Sequence, residues 1–173
     1  WGGLGWVGVG GGWGLWSVLT VILNWRTPDM TLRSVESALS AMEGIEGAIT
    51  VVDNDSGDGS EAMLRQAVAD RGWSRVRVLQ AGRNGGFGAG NNVGIRAGLP
   101  GGHKPDYVYI LNSDAFPAPD AIHLLLDHLE AHPGTGFAGS YIHGVDGVPH
   151  TTCFRFPSVW SEVEGAARTG PIT

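Results

Sequence analysis

The sequence predicts an α/β domain built on a mostly parallel sheet. From Val18 onward, short β-rich apolar runs alternate with segments of helical period, and such alternation indicates βαβ units with right-handed crossovers. At 173 residues and 18.2 kDa, the chain is sized for one compact domain. Unusual polar residues stand just after four of the runs, as Asn24, Asp53-Asn54-Asp55, Arg83-Asn84 and Asn112-Ser113-Asp114. Parallel sheets bind ligands beyond the carboxyl ends of their strands, so these four groups mark one rim as the candidate site.

Each element has a local cause. Val18 to Leu23 reads as a buried strand, and Thr27-Pro28-Asp29 opens a helix with an N-cap, a proline at the first position and an acid in the first turn. Leu32, Val35, Leu39 and Met42 then recur at helical spacing and form its buried stripe. Ala48 to Val52 is the second strand, and Ser60 opens a helix carrying Met63, Leu64, Ala67 and Val68. Val76 to Leu79 is the third strand, followed by a Gly/Asn loop and a short helix over Asn91 to Ala97. Tyr107 to Leu111 is the fourth. Pro119-Asp120 starts a helix with Ile122, Leu125, Leu126 and Leu129 that Pro133 stops. Phe137 to Ile142 is expected as a fifth strand, with Asp146-Gly147 as a turn.

Composition excludes several classes. A net charge of −6 gives no support to a phosphate-tracking nucleic-acid surface, though a local anion pocket stays open. The single Cys153 excludes a disulfide framework and a multi-thiolate metal site, and a structural thiol is its better reading. Residues 1–16 hold eight of the 29 glycines and four of the seven tryptophans without a charge. They have neither the basic start and continuous apolar run of a signal peptide nor the length of a membrane span, and they read as the atypical leader of a fragment. Gly3 to Gly8 matches G-x-G-x-x-G, but no strand precedes it. His128 and His132 are four apart but lack the Glu of H-E-x-x-H, so a solvated helix face is the better reading than zinc.

The rim residues carry the chemistry. Asp53 and Asp55 straddle Asn54, where a carboxylate can accept from a base or ribose donor or can simply cap the turn. Asp114 follows an apolar strand, where a carboxylate can hold a hard cation that neutralises a diphosphate, or can cap a turn. The loop Arg83 to Arg96 lets a backbone approach a ligand closely and opens into a helix whose amino end favours anions.

In order, V-L-T-V-I-L-N-W-R-T-P-D-M-T, V-V-D-N-D-S-G-D-G-S, G-R-N-G-G-F-G-A-G-N-N-V-G-I-R and Y-I-L-N-S-D-A-F-P resemble the nucleotide-sugar half of family 2 glycosyltransferases, most nearly the rhamnosyltransferase-like branch. The resemblance runs from Val18 to about Pro157. It implies a GT-A fold, a three-layer α/β/α sandwich truncated at its carboxyl end, with residues 17–157 as the donor-binding domain and 158–173 as a connecting or acceptor-side segment. It further implies a UDP- or dTDP-sugar donor, Mg²⁺ or Mn²⁺, a glycan or lipid-linked acceptor, and a cytoplasmic enzyme, peripheral to the inner face of the membrane. Asp53 matches the base-contacting position and Asp114 the last Asp of the D-x-D-like metal motif, with Asn112 in place of the first. Arg83, Asn84 and Asn91 match the loop lining the donor pocket, and Asn24 and Asp55 complete the donor-binding set. If Asp53 reads the base, an acceptor-only carboxylate favours the N3–H of uracil or thymine over the bare N3 of cytosine, without excluding guanine.

The implied reaction is an inverting displacement whose general base is expected beyond Thr173, because Glu162 and Glu164 sit in S-E-V-E-G, which resembles a connecting segment. Two other readings fit the same rim: a nucleotide-sugar-binding remnant without turnover, and a sugar-1-phosphate nucleotidyltransferase. The latter would want a basic Gly-rich loop after strand one, where Asn24-Trp25-Arg26-Thr27-Pro28 stands instead.

Overall fold

The computed structural model describes residues 16–144, 147 and 148. Its elements are β1 (Ser17–Asn24), α1 (Pro28–Ala41), β2 (Glu46–Asp53), α2 (Ser60–Asp70), β3 (Val76–Gln80), α3 (Gly86–Ala97), β4 (Tyr107–Asn112) and α4 (Ala121–Ala131). The four strands pair in parallel in the order β3-β2-β1-β4. The order therefore reverses between β1 and β4, and the carboxyl ends of that pair border the crevice where such sheets hold ligands.

Strand alternation sorts the apolar residues into two cores. Val18, Ile22, Ile49, Val51, Val76 and Val78 pack with Leu32, Val35, Leu64, Ile122 and Leu126 from α1, α2 and α4. On the other face Leu19, Val21, Ala48 and Val52 meet Val93, Ile95 and Leu99 from α3 and the turn after it. The result is three layers, α/β/α. Val108 and Ile110 on β4 stay 40% and 47% exposed, on the face of Leu19 and Val21, with which they are in register.

The third helix begins at Gly86, five residues before the expected Asn91. Glycines weaken a helix locally, yet here they let it approach the sheet. A Cβ on Gly90 would lie 2.4 Å from Leu23 Cδ1, and one on Gly94 2.7 Å from Val21 Cγ1 and 3.1 Å from Val52 Cγ2. Gly94→Val is expected to lower unfolding free energy by about 1–3 kcal/mol through overpacking, measured by urea titration. An unchanged midpoint would show that α3 does not need this close approach.

The chain divides into two units at Gly136. In the second, the expected strand Phe137–Ile142 is neither strand nor helix, and Phe137, Tyr141 and Ile142 are exposed. Gly139 and Ser140 interrupt the run and remove the continuous apolar face a strand needs. Gly147 N donates to Gly144 O at 3.0 Å, while Asp146 of the expected Asp146-Gly147 turn lies outside the described residues. The leader up to Leu15, Cys153, Glu162, Glu164 and the segment 158–173 lie outside the described residues. Among the described residues no helix is long and apolar enough to cross a membrane.

Candidate functional site

The strand ends build two polar clusters, one on each side of the sheet. Register sets Asn24, Asp53 and Gln80 in one row across β1, β2 and β3. Asp53 is buried, and both its oxygens are filled: Oδ1 accepts from Asn24 Nδ2 at 2.7 Å and Ser56 Oγ at 2.6 Å, Oδ2 from Ser56 N and Gln80 Nε2 at 3.1 Å each. Burial pushes its carboxyl up, but the bonds from Ser56, Asn24 and Gln80 together outweigh that and hold it below its ordinary value. Asn24 in turn accepts from Thr31 Oγ1 at 2.8 Å, so α1 fixes its orientation.

Gln80 is exposed and shares its amide between Asp53 and Glu61 Oε2, the latter at 2.9 Å. Its bond helps to hold the Glu61 carboxyl low. A ligand N–H can reach Asp53 only by replacing one of four donors, and Gln80, the exposed one, is free to swing away.

On the α3 side, Asn54 Nδ2 donates to Asn84 Oδ1 at 2.9 Å, and Asn84 Oδ1 also accepts from Gly86 N. Asn91 Nδ2 donates to Phe87 O at 2.9 Å. The amide oxygens of Asn54 and Asn91 are buried without a hydrogen bond, which leaves two acceptors beside the loop of residues 83–90. Asp55 is exposed with φ at +57°, and Arg26 across from it has φ at +59°. Non-glycine residues seldom adopt this region, and it recurs at functional sites. Ser56 holds Arg26 there, with its Oγ accepting from Arg26 N at 3.0 Å and its carbonyl from Arg26 Nε at 3.1 Å.

Asn112 and Asp114 are exposed at the end of β4. Their turn is fastened from below, because Ser34 Oγ on α1 bonds Asn112 O at 3.2 Å and Ala115 O at 2.9 Å. Among the described residues no three His, Cys, Asp or Glu side chains group around one point. One carboxylate with one amide oxygen suits a hard cation that fills its shell with phosphate oxygens and water. Arg83 is exposed and lines a cavity beside α3.

The structure thus joins Asn24 directly to Asp53, ties Asn84 to the β2 end through Asn54, and leaves Asp55, Asn112 and Asp114 open at the surface. Sequence reasoning missed Ser34, Ser56 and Gln80. Ser56 was legible as the last residue of D-N-D-S, but a serine inside a helix and a glutamine ending a strand carry no signal of their own. It also missed Trp25, Phe87 and Phe116, exposed at 49%, 56% and 44% after β1, at the start of α3 and after β4. His128 and His132 are exposed and stack on each other at 4.3 Å, as a solvated helix face allows.

No curated protein matches the chain. Among solved structures it is similar to the mannosyltransferase from Pyrobaculum calidifontis, solved in complex with GDP-Man and Mn²⁺, at 16% identity and a TM-score of 0.55. The match covers 65% of this chain and 32% of that one, so the chain spans about a third of the length of its neighbour and shares with it the GT-A fold. The sequence family described as Glycosyl transferase family 2 matches residues 17–162. That match begins at the first residue of β1 and runs through all four strand ends of the rim, and the chain belongs to glycosyl transferase family 2.

Proposed function

We propose that the chain is the donor-binding part of a glycosyltransferase that moves a sugar from a nucleoside diphosphate sugar to a glycan or lipid-linked acceptor. The observation that carries this is the placement of Asp53 and Asp114 at the ends of β2 and β4, on either side of Asn24 at the switch point. Two strand spacings separate β2 from β4, about 10 Å, a span that suits a base beyond one strand and a diphosphate beyond the other. The family supports the reaction class, and the neighbour's GDP-Man supports the donor class.

In this reading Asp53, oriented by Asn24 and Ser56, accepts the N3–H of uracil or thymine once Gln80 has moved aside. Asp55, Asn84 and Asn91 border the ribose and diphosphate. Asp114 and Asn112 would hold Mg²⁺ or Mn²⁺. When bound, such an ion neutralises the charge of the leaving diphosphate. The finer reading is an inverting, rhamnosyl-type transfer by a cytoplasmic enzyme peripheral to the membrane.

Calorimetry with UDP, dTDP, GDP and CDP, each with and without Mn²⁺, tests it. UDP or dTDP should bind at least about tenfold tighter than CDP, because cytosine sets a bare acceptor against Asp53 and leaves a buried polar group unpaired. GDP binding above both would move the donor to the class of the neighbour. Absence of metal-dependent binding by all four nucleotides would end the donor-site reading, and tight binding of the corresponding UDP- or dTDP-sugar with no sugar released would favour the binding remnant.

A further inference from the structure

We propose that the cleft between α3 and the loop that follows β3 is a second anion site, which takes the phosphate group of a small phosphate ester. The cavity there is about 250 Å³, and among the residues lining it are Arg83, Arg96, Ala81, Ala89, Asn92 and Val93. The arginines carry the inference. Of the eight described arginines, six have a partner: Arg26 holds Ser56, Arg33 lies over the Phe116 ring, Arg65 and Arg71 pair with Glu61 and Glu36, Arg75 bonds three carbonyls, and Arg77 bonds Thr50 and Gly98. Only Arg83 and Arg96 have no hydrogen bond, ion pair or ring contact among the described residues, and both line this one cavity.

No carboxylate of the described residues lines it. The two arginines thus bring like charge to one space with no opposite charge among the described residues that line it, and an anion there is attracted by both. The amino end of α3 borders the same space at Gly85, and although Gly86 N already donates to Asn84 Oδ1, the partial positive charge of the helix end adds to theirs. Planar guanidinium forks match phosphate oxygens, the Asn92 amide adds a donor, and Ala81, Ala89 and Val93 offer an apolar wall for the organic part. This site is not the one at Asp53. Alternation points Asp53 and Gln80 to the α1 and α2 side of the sheet, whereas Ala81 and Val93 belong to the core on the α3 side. The spacing of Ala89, Asn92, Val93 and Arg96 puts these four on one stripe of the helix.

The test is titration of the full chain with inorganic phosphate, pyrophosphate and UDP, followed by the arginine Nε–H NMR signals. The two signals lost in Arg83→Gln and in Arg96→Gln should shift with pyrophosphate. Pyrophosphate affinity should fall about tenfold or more in Arg96→Gln and in Ala89→Glu, which sets a carboxylate in the cleft without touching either arginine. Arg33→Gln, an arginine elsewhere on the surface, should change it less than twofold. A response to pyrophosphate but not to inorganic phosphate assigns the cleft to diphosphates, and UDP above pyrophosphate assigns it to nucleotides; each supports the site. Equal losses in Arg33→Gln and Arg96→Gln, or no shift of the Arg96 signal, overturn it. Asp114→Asn separates this from the donor reading, because it should leave the Arg96 response unchanged whatever becomes of nucleotide binding at the rim.

Discussion

Asp114→Asn is expected to abolish the Mn²⁺-dependent part of nucleoside diphosphate binding. The substitution keeps the shape and removes the only negative ligand proposed at the end of β4. Even loss of an outer-shell partner of a metal ligand costs about 10- to 100-fold in metal affinity, so loss of the ligand itself should cost at least that. The fold should be untouched: Asp114 is exposed, and its turn is held by Ser34 through the carbonyls of Asn112 and Ala115. Calorimetry with and without Mn²⁺, beside a thermal melt, reads both. Equal metal-dependent affinity in wild type and variant would remove Asp114 from the site. Ser34→Ala is the companion measurement. It leaves the carboxylate in place but frees the turn, and a several-fold loss there with an unchanged melt would show that positioning by α1 matters.

Asp53→Ala is expected to cost about 3 kcal/mol of stability, measured by urea unfolding at pH 7. The side chain accepts four hydrogen bonds, and its removal strands one N–H of the Asn24 amide and the Ser56 backbone N–H in a buried row. The pH dependence has a definite sign. The carboxyl is held below its ordinary value of 3.8 when folded, so its contribution is fully present above that pH and is lost as pH falls through the folded value. Asp53→Asn should therefore be less stable than wild type at pH 7 and should lose less on acidification below about pH 4. Parallel pH profiles would mean that the network does not stabilise the ionised form. The binding arm is separate. If Asp53 reads the base, Gln80→Leu removes a competitor for Oδ2 and should raise UDP affinity more than CDP affinity, whereas a purely structural Asp53 would leave the ratio unchanged.

The four strands and the rim were legible because each rests on local causes. Val18 to Leu23 and Ala48 to Val52 are runs only a buried strand accommodates, and Pro28, Ser60 and Pro133 mark helix ends through backbone restrictions that act within a few residues. Asn24, Asp53 and Asp114 stood out because polar residues directly after such runs must lie at one edge of a parallel sheet. The extent of α3 was not legible, since its glycines lower helix propensity and are favourable only against Leu23, Val21 and Val52. The strand expected at Phe137 to Ile142 failed for the converse reason: short apolar stretches look alike in sequence whether or not a neighbour is there to bury them.

What the sequence determined by itself is the order of elements, their parallel pairing and the family, all of which follow from periodicity and motifs read along the chain. Only the tertiary structure decided how the rim residues divide. The pleat sends Asp53 to one side of the sheet and Asn54 to the other, strand register brings Gln80 onto the Asp53 carboxylate, and the packing of α1 places Ser34 under the Asp114 turn. These are contacts between residues 27 to 81 positions apart, set by how faces meet, and no local preference of the chain encodes them.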